Sequence, residues 1–153
     1  MSEQDFTLTF SVSESPERVF DAVMNVRGWW SEAVEGGTDR VGDEFTYQHG
    51  DLHRSTQVLV ESLRARRAVW RVSEAHLSFV DDASEWEGTQ LRFEVTPREG
   101  ATELRFTHAG LVPRSECYGA CSKGWGFYVG ESLRSLITTG TGRPDRRERP
   151  GAQ

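Results

Sequence analysis

Apolar and polar residues alternate with a period of two along much of this chain, which is the pattern of half-buried β-strands. The alternation is clear over residues 6–12, where Thr and Ser separate the apolar side chains. It recurs at 91–95 and 104–108, and the turn predicted at 97–100 pairs these two strands as a hairpin. Further strands are predicted around residues 45–47, 56–63 and 69–75. Residues 77–86 are compatible with a short strand followed by a loop.

Two short helices are predicted between the first and second strands. In residues 15–17, the serine suits an N-cap, the proline suits the first helical position, and the glutamate suits the positive end of the helix dipole. A second short helix or turn is predicted over 25–32, where Trp29 and Trp30 are adjacent. One of these two indoles is expected to be exposed or to lie at a cavity mouth.

The pattern changes to a helical period near the end of the chain. Residues 123–144 are predicted to form one long amphipathic helix, because apolar residues recur at i, i+3 and i+4 spacing. The apolar stripe consists of Cys121, Trp125, Val129, Leu133, Leu136 and Ile137, with Tyr128 beside it. Ser115 is a candidate N-cap for this helix. Many strands followed by a helix predict an α+β domain with an antiparallel sheet, and a possible ligand space between sheet and helix.

Length and composition indicate one domain. The 153 residues suffice for a single sizeable core, and no internal repeat is present. The composition shifts to Gly, Pro and charged residues near the end. Residues 1–142 are therefore predicted to form the domain, and residues 143–153 a disordered tail, because such a composition has little apolar surface to bury.

The charge and hydropathy of the chain narrow the classes of partner. The net charge is −6 and no basic cluster occurs outside the predicted tail, which argues against nucleic acid as the main partner. No run approaches the roughly 18 apolar residues that a membrane span needs. The first residues lack the basic and apolar regions of a secretory signal. A cytoplasmic protein, monomeric or weakly dimeric, is therefore expected.

Several of these segments together resemble a known superfamily. Residues 15–20, the sequence Gly-Trp-Trp at 28–30, the string of antiparallel strands, and the final helix with its closing Gly-Thr-Gly at 140–142 resemble the SRPBCC (START/birch-pollen-allergen) superfamily. Within it they are most similar to the branch of heat-shock protein 90 ATPase activator homologues. The resemblance covers about residues 5–142. It implies a helix-grip fold: a curved antiparallel β-sheet wrapped around a long C-terminal α-helix, with two short helices between the first and second strands.

The resemblance also implies a deep apolar cavity between the sheet and the last helix, but it does not name a ligand. Our leading hypothesis is a non-catalytic protein that binds a small hydrophobic or amphipathic molecule, without a cofactor. The predicted ligand-binding residues are Trp30, Phe45, Tyr47, Trp70, Phe93, Phe106, His108, Trp125, Tyr128 and Val129. Co-chaperone activity is not inherited from the resemblance, because the eukaryotic co-chaperones of this name carry an additional N-terminal domain.

Two alternatives stay open at this point. The first is an enzyme of the cyclase or hydrolase type, with His108, or Glu74 and His76, as acid and base in the cavity. Glu74 and His76 are expected to share a strand face with Trp70 and Val72, although an exposed strand end is the preferred interpretation of this pair. The second alternative is a chaperone-related module for protein interaction. No known catalytic motif occurs in the chain.

The sequence does not predict a metal site. His49 and His53 are spaced as H-x3-H around the turn at Gly50, and they are more simply interpreted as exposed turn residues than as ligands. Cys117 and Cys121 are interpreted as two small buried apolar residues near the start of the last helix, and a disulfide between them is not expected in a reducing cytosol.

Overall fold

The computed structural model describes residues 4–145, and in that range seven strands precede a long C-terminal helix. The strands and helices are, in chain order, β1 (Phe6–Val12), α1 (Pro16–Met24), α2 (Val26–Trp29), β2 (Glu35–Gly36), β3 (Glu44–His49), β4 (His53–Leu63), β5 (Arg67–Leu77), β6 (Gln90–Arg98), β7 (Ala101–Ala109), α3 (Tyr118–Phe127), a π-helical segment (Tyr128–Leu133) and α4 (Arg134–Thr139). The last three are continuous and are called the C-terminal helix. No helix in the described range is long and apolar enough to cross a membrane.

The strands form one curved antiparallel sheet in the order β1-β7-β6-β5-β4-β3-β2. The predicted hairpin is β6–β7, in which Leu91 pairs with His108 and Phe93 with Phe106. The apolar residues of both strands face the core, as their alternation indicates. The predicted α+β helix-grip fold is confirmed, including the two short helices between the first two strands.

The first helix begins as its sequence indicates. The backbone N–H of Arg18 donates to Ser15 Oγ at 3.2 Å, and Pro16 occupies the first turn. The helix buries Val19 and Val23 completely. It also contacts the end of the chain, because the Arg18 guanidinium donates to the carbonyl of Ile137 at 3.0 Å. This hydrogen bond connects α1 to the end of the C-terminal helix.

The C-terminal helix has different limits from those predicted. It begins at Tyr118, and Ser115 does not cap it; instead the Ser115 hydroxyl accepts from the backbone N–H of Val112. It ends at Thr139, before the predicted limit, because Gly140 adopts a left-handed φ of 85° and its N–H closes the last turn on the carbonyl of Leu136. The helix therefore stops where glycine permits the chain to reverse.

A π-helical segment keeps the apolar stripe of this helix on the sheet. The five buried positions Cys121, Trp125, Val129, Leu133 and Ile137 are each four residues apart. Four residues of an α-helix rotate by about 40° more than a full turn, so positions four residues apart would move away from the sheet within a few turns. A π-helix turns less per residue, and its position at Tyr128–Leu133 offsets this rotation.

The chain after the helix packs back onto the domain. A Cβ at Gly142 would lie 2.2 Å from the carbonyl oxygen of Gly28, so only glycine allows the two backbones to approach this closely. Asp145 forms a parallel bridge with Ser31, and its N–H donates to the carbonyl of Trp30 at 2.9 Å. Ordered contacts thus extend three residues into the predicted tail, whose remainder, 146–153, lies outside the described residues.

Candidate ligand-binding pocket

A pocket of about 330 Å³ lies between the first part of the C-terminal helix and the β3–β4 hairpin. Trp30, Trp86 and the loop after β5 complete its walls. The pocket is lined by Trp30, Tyr47, His49, Leu52, His53, Phe79, Trp86, Ala120, Cys121, Gly124, Trp125 and Tyr128. Most of this lining is aromatic or aliphatic, so the pocket offers a ligand mainly ring surface.

The inner wall is a continuous set of packed aromatic rings. Trp86 and Trp125 stack with centroids 5.7 Å apart and ring planes inclined by 16°. Trp125 meets Trp30 at 5.1 Å, and Trp30 stacks on Tyr47 at 4.5 Å with an angle of 25°. Each ring is held by another ring, so the wall has little rotamer freedom and its shape is set before a ligand enters.

His108 fixes the orientation of Trp125 from behind the wall. The Trp125 indole N–H donates to His108 Nδ1 at 3.0 Å, and Thr89 donates its hydroxyl hydrogen to the carbonyl of Trp86 at 2.5 Å. The contact of 2.9 Å between His108 Nε2 and Thr89 Oγ1 is therefore donated by the imidazole. This arrangement requires a neutral ring protonated on Nε2, and burial lowers the pKa of His108 to about 3, with a smaller effect of His53.

A polar cluster closes one side of the pocket mouth around Asp145. The hydroxyl of Tyr47 donates to Asp145 Oδ2 at 2.8 Å, and that of Tyr128 donates to Oδ1 at 2.7 Å. His49 Nδ1 lies 3.2 Å from Oδ2 at the exposed rim. Burial raises the pKa of Tyr128 to about 12, and burial together with Tyr128 raises the pKa of Tyr47 still further. Both phenols therefore stay protonated and act as donors to the carboxylate.

His53 forms part of the pocket wall on β4. Its ring meets the Trp86 indole edge-on at 4.5 Å and Tyr47 at 5.0 Å. Its Nε2 lies 2.8 Å from Ser55 Oγ, a buried hydroxyl on the same face of the strand. Burial, followed by the nearby His49, lowers the pKa of His53 to about 4. The imidazole is therefore neutral at physiological pH.

The two cysteines support the wall and are not joined by a disulfide. Cys121 lines the pocket, whereas Cys117 lies behind it and accepts a hydrogen bond from the Trp86 indole at 3.3 Å. Hydrogen bonding to Cys121, with burial, raises the pKa of the Cys117 thiol. Across residues 4–145, no three His, Cys, Asp or Glu side chains are grouped so that they could hold a metal ion.

Comparison with known proteins now identifies the family. The family model described as "Activator of Hsp90 ATPase homolog 1-like protein" (AHSA1) matches residues 13–138. This range contains α1, α2, strands β2 to β7 and all but the last residue of the C-terminal helix. The chain belongs to this family. The resemblance inferred from the sequence is thereby confirmed. No curated protein sequence matches the chain significantly.

Solved structures show the same fold at low sequence identity. The Aha1 dimer from Colwellia psychrerythraea is 18% identical, with a TM-score of 0.73 over 91% of this chain and 99% of that chain. The Mll3558 protein from Rhizobium loti is 18% identical, with a TM-score of 0.67 over 89% and 97% of the two chains. DynU16, from the dynemicin biosynthetic locus, is 19% identical, with a TM-score of 0.64 over 92% of this chain and 50% of that chain.

The structure separates the ten residues predicted to bind ligand in this AHSA1-family protein into two groups. Four of them line the pocket: Trp30, Tyr47, Trp125 and Tyr128. The other six are buried in the core and do not line it: Phe45, Trp70, Phe93, Phe106, His108 and Val129. These core side chains fill much of the space between the sheet and the last helix, where the resemblance implies a deep cavity. The pocket is consequently displaced toward the β3–β4 end.

The acid–base residues considered for an enzyme do not meet in the pocket. His108 is fully buried and both of its ring nitrogens are already bonded. Glu74 and His76 are exposed, as the preferred interpretation of an exposed strand end predicted, but they do not share a face with Trp70 and Val72, and that part of the expectation is wrong. The register between β4 and β5 shifts between Val72 and Glu74, and this bulge turns the following residues to the opposite face.

Other pocket residues were not predicted from the sequence. Trp86 lies in a loop without periodicity, and only its large apolar side chain indicates burial. His53 was interpreted as an exposed turn residue, whereas it forms part of the wall. Neither Trp29 nor Trp30 is exposed: Trp29 packs on Phe93 in the core, while Trp30 packs on Trp125 and lines the pocket.

Proposed function

We propose that this AHSA1-family protein binds a small, planar aromatic molecule in the pocket beside the C-terminal helix. The observation that carries the proposal is the aromatic lining, in which Trp30, Trp86 and Trp125 present ring surface around one open space. Aromatic rings pack favourably against one another in stacked and edge-on geometries, beyond the gain from area burial alone. A planar ligand can use such geometries, whereas a flexible alkyl chain cannot.

The size of the pocket supports a compact ligand. Its 330 Å³ corresponds to about eleven water molecules at roughly 30 Å³ each, which is room for two or three fused rings. A membrane lipid with two long acyl chains exceeds this volume several times. The family and its structural neighbours support a ligand-binding fold, and the place of one neighbour in a biosynthetic locus is compatible with a small-molecule ligand.

The pocket mouth also supports an apolar ligand. Leu52 in the β3–β4 turn is 52% exposed, and Phe79 in the loop after β5 is 43% exposed. Both line the pocket, and the Ser78 N–H between these segments donates to the Leu52 carbonyl at 3.0 Å. Exposed apolar side chains grouped at the entrance of a cleft are typical of a surface that a ligand or partner covers.

The proposal is tested by comparing ligands of equal size and different shape. Fluorene is a flat tricyclic hydrocarbon, and its saturated analogue perhydrofluorene has the same carbon skeleton without planar rings. Equilibrium dialysis with chromatographic quantitation should show saturable one-to-one binding of fluorene, and binding of perhydrofluorene at least tenfold weaker. Uncharged 1-decanol serves as the alkyl-chain comparison and should also bind more weakly than fluorene. No saturable binding of fluorene or of any other fused-ring hydrocarbon would overturn the proposal.

A cytoplasmic location and a monomeric or weakly dimeric state stay predictions. The structural neighbour from Colwellia psychrerythraea is described as a dimer, which is compatible with weak self-association of this chain. Sedimentation velocity over a hundredfold range of concentration would distinguish a monomer from a reversible dimer. The same measurement with fluorene present would show whether ligand and self-association are linked.

A further inference from the structure

Most polar groups that line the pocket already have hydrogen-bond partners in the protein. The indole N–H groups of Trp86 and Trp125 and both tyrosine hydroxyls donate to neighbouring residues. His49 lies at the exposed rim, where water is available to it. Among the described residues, two side-chain nitrogen atoms of the pocket wall have no hydrogen-bond partner in the protein: Trp30 Nε1 and His53 Nδ1. A ligand in the pocket can therefore bond these two groups without displacing a protein partner.

The bonding of Ser55 decides which nitrogen of His53 carries the proton. Ser55 is 1% exposed, and its hydroxyl has no acceptor in the described chain other than His53 Nε2 at 2.8 Å. A buried hydroxyl that did not donate would lose a hydrogen bond without compensation. The hydroxyl therefore donates to Nε2, and the proton of the neutral imidazole is on Nδ1. Since the Trp30 indole nitrogen is always a donor, both unpartnered groups are donors.

The charges near the pocket disfavour an anionic ligand. Its lining contains no lysine or arginine, and the Asp145 carboxylate accepts hydrogen bonds from two of its tyrosines, Tyr47 and Tyr128. A carboxylate or phosphate group would approach this charge without a lysine or arginine in the lining to compensate it. An uncharged acceptor such as a ketone oxygen accepts from one of these donors without that cost. It also satisfies hydrogen bonds that a pure hydrocarbon would leave unmade in the occupied pocket.

We infer that the pocket selects neutral, planar aromatic molecules that carry a carbonyl acceptor, of the aromatic ketone or quinone class, and that His53 Nδ1–H donates to the carbonyl oxygen. This inference rests on the proposed function and names the class of its ligand. The aromatic rings supply shape selection, and His53 selects for the acceptor. Trp30 Nε1–H is available to a second acceptor. A quinone has two carbonyl oxygens, so it could accept from His53 with one and from Trp30 with the other.

The test compares 9-fluorenone with fluorene, two rigid tricyclic molecules that differ in the carbonyl group. Equilibrium dialysis should give 9-fluorenone a dissociation constant about tenfold lower than that of fluorene, as expected for one buried hydrogen bond. In His53→Phe, a ring still packs against Trp86 but has no donor, so the ratio should fall to about one through loss of 9-fluorenone affinity alone. 9-Fluorenone-2-carboxylate should bind the unaltered protein at least tenfold more weakly than 9-fluorenone.

The outcomes separate this inference from the proposed function. If neither 9-fluorenone nor fluorene binds, the proposed function fails and this inference fails with it. If both bind equally well, or if the tenfold ratio persists in His53→Phe, this inference is wrong while the proposed function stands. Tighter binding of the carboxylate would overturn the selection for neutral ligands.

A second measurement needs no variant. The ¹⁵N chemical shifts of the His53 ring in the unaltered protein report which nitrogen carries the proton. We expect the Nδ1–H form in the free protein and a shift of that N–H resonance when 9-fluorenone is added. A free protein in which His53 is protonated on Nε2 would overturn the inference, because Nδ1 would then accept hydrogen bonds and could not donate to a carbonyl.

Discussion

Replacing Gly124 by leucine is expected to fill the pocket without disturbing the fold. Gly124 lines the pocket from α3, and a Cβ built at this position meets no heavy atom within 4 Å. The added side chain therefore enters open space. Gly126 provides a matched control, because it lies in the same helix, has equally open surroundings at its Cβ, and does not line the pocket.

The magnitudes follow from volume and helix propensity. The leucine side chain adds four carbon atoms to the open space of the pocket, whose volume is about 330 Å³. A tricyclic ligand no longer fits, so its affinity should fall at least tenfold, equivalent to about 1.4 kcal/mol. Removing a glycine from a helix interior stabilises the fold by about 0.5–1 kcal/mol. Both variants should therefore melt about 1–4 °C higher than the unaltered protein.

Binding and stability are measured on the same three proteins. Equilibrium dialysis with 9-fluorenone reports affinity, and differential scanning calorimetry reports the melting temperature. We expect Gly124→Leu to lose binding and Gly126→Leu to retain it, while both are at least as stable as the parent. Equal affinity in the two variants would refute the placement of the ligand. A melting temperature several degrees lower for Gly124→Leu alone would refute the open space assigned to its side chain.

Three further predictions concern stability. Asp145→Ala removes the acceptor of two tyrosine hydroxyls. It should therefore lower the free energy of unfolding by roughly 1–3 kcal/mol, measured by urea titration. No change in this free energy would show that the segment after Gly140 is not docked. Leu133→Ala removes a fully buried side chain and should lower the free energy of unfolding by about 2–5 kcal/mol. Its exposed neighbour serves as the control, and Arg134→Ala should lower it by less than about 1 kcal/mol. Equal effects of the two substitutions would contradict the assigned phase of the helix. The folded pKa values of His53 and His108, about 4 and about 3, lie below their unfolded value of 6.5, so the unfolded chain binds protons first as the pH falls. Stability should therefore decrease from pH 7 to pH 5 by about 2 kcal/mol per histidine, and His53→Phe should remove about half of that decrease.

Local patterns in the sequence were sufficient for the regular parts of the fold. The alternation in β6 and β7 predicted both their pairing and their buried faces, because a strand in a regular hairpin has a side-chain period of two. The start of α1 followed from the capping serine and the proline after it. Trp125 was correctly assigned to the buried face of the last helix by its helical spacing.

Irregular backbone decided what these patterns could not. The bulge in β5 reverses the phase of alternation after Val72, so Glu74 and His76 are exposed where regular alternation placed them inside. The π-helical segment has the opposite consequence, because it preserves one buried face over a stripe whose spacing does not match an α-helix. The position of each irregularity depends on how its element packs against distant ones.

The amino-acid sequence by itself determined the class of fold, the order of its elements and the aromatic character of its interior, because these depend on the periodicity and chemistry of neighbouring residues. The tertiary structure alone decided which rings form the core and which form the pocket. Trp86 from a loop and His53 from a hairpin meet there across a long separation in sequence, and Asp145 from beyond the last helix bonds the lining residue Tyr47. Their proximity results from long-range packing, and no local pattern records it.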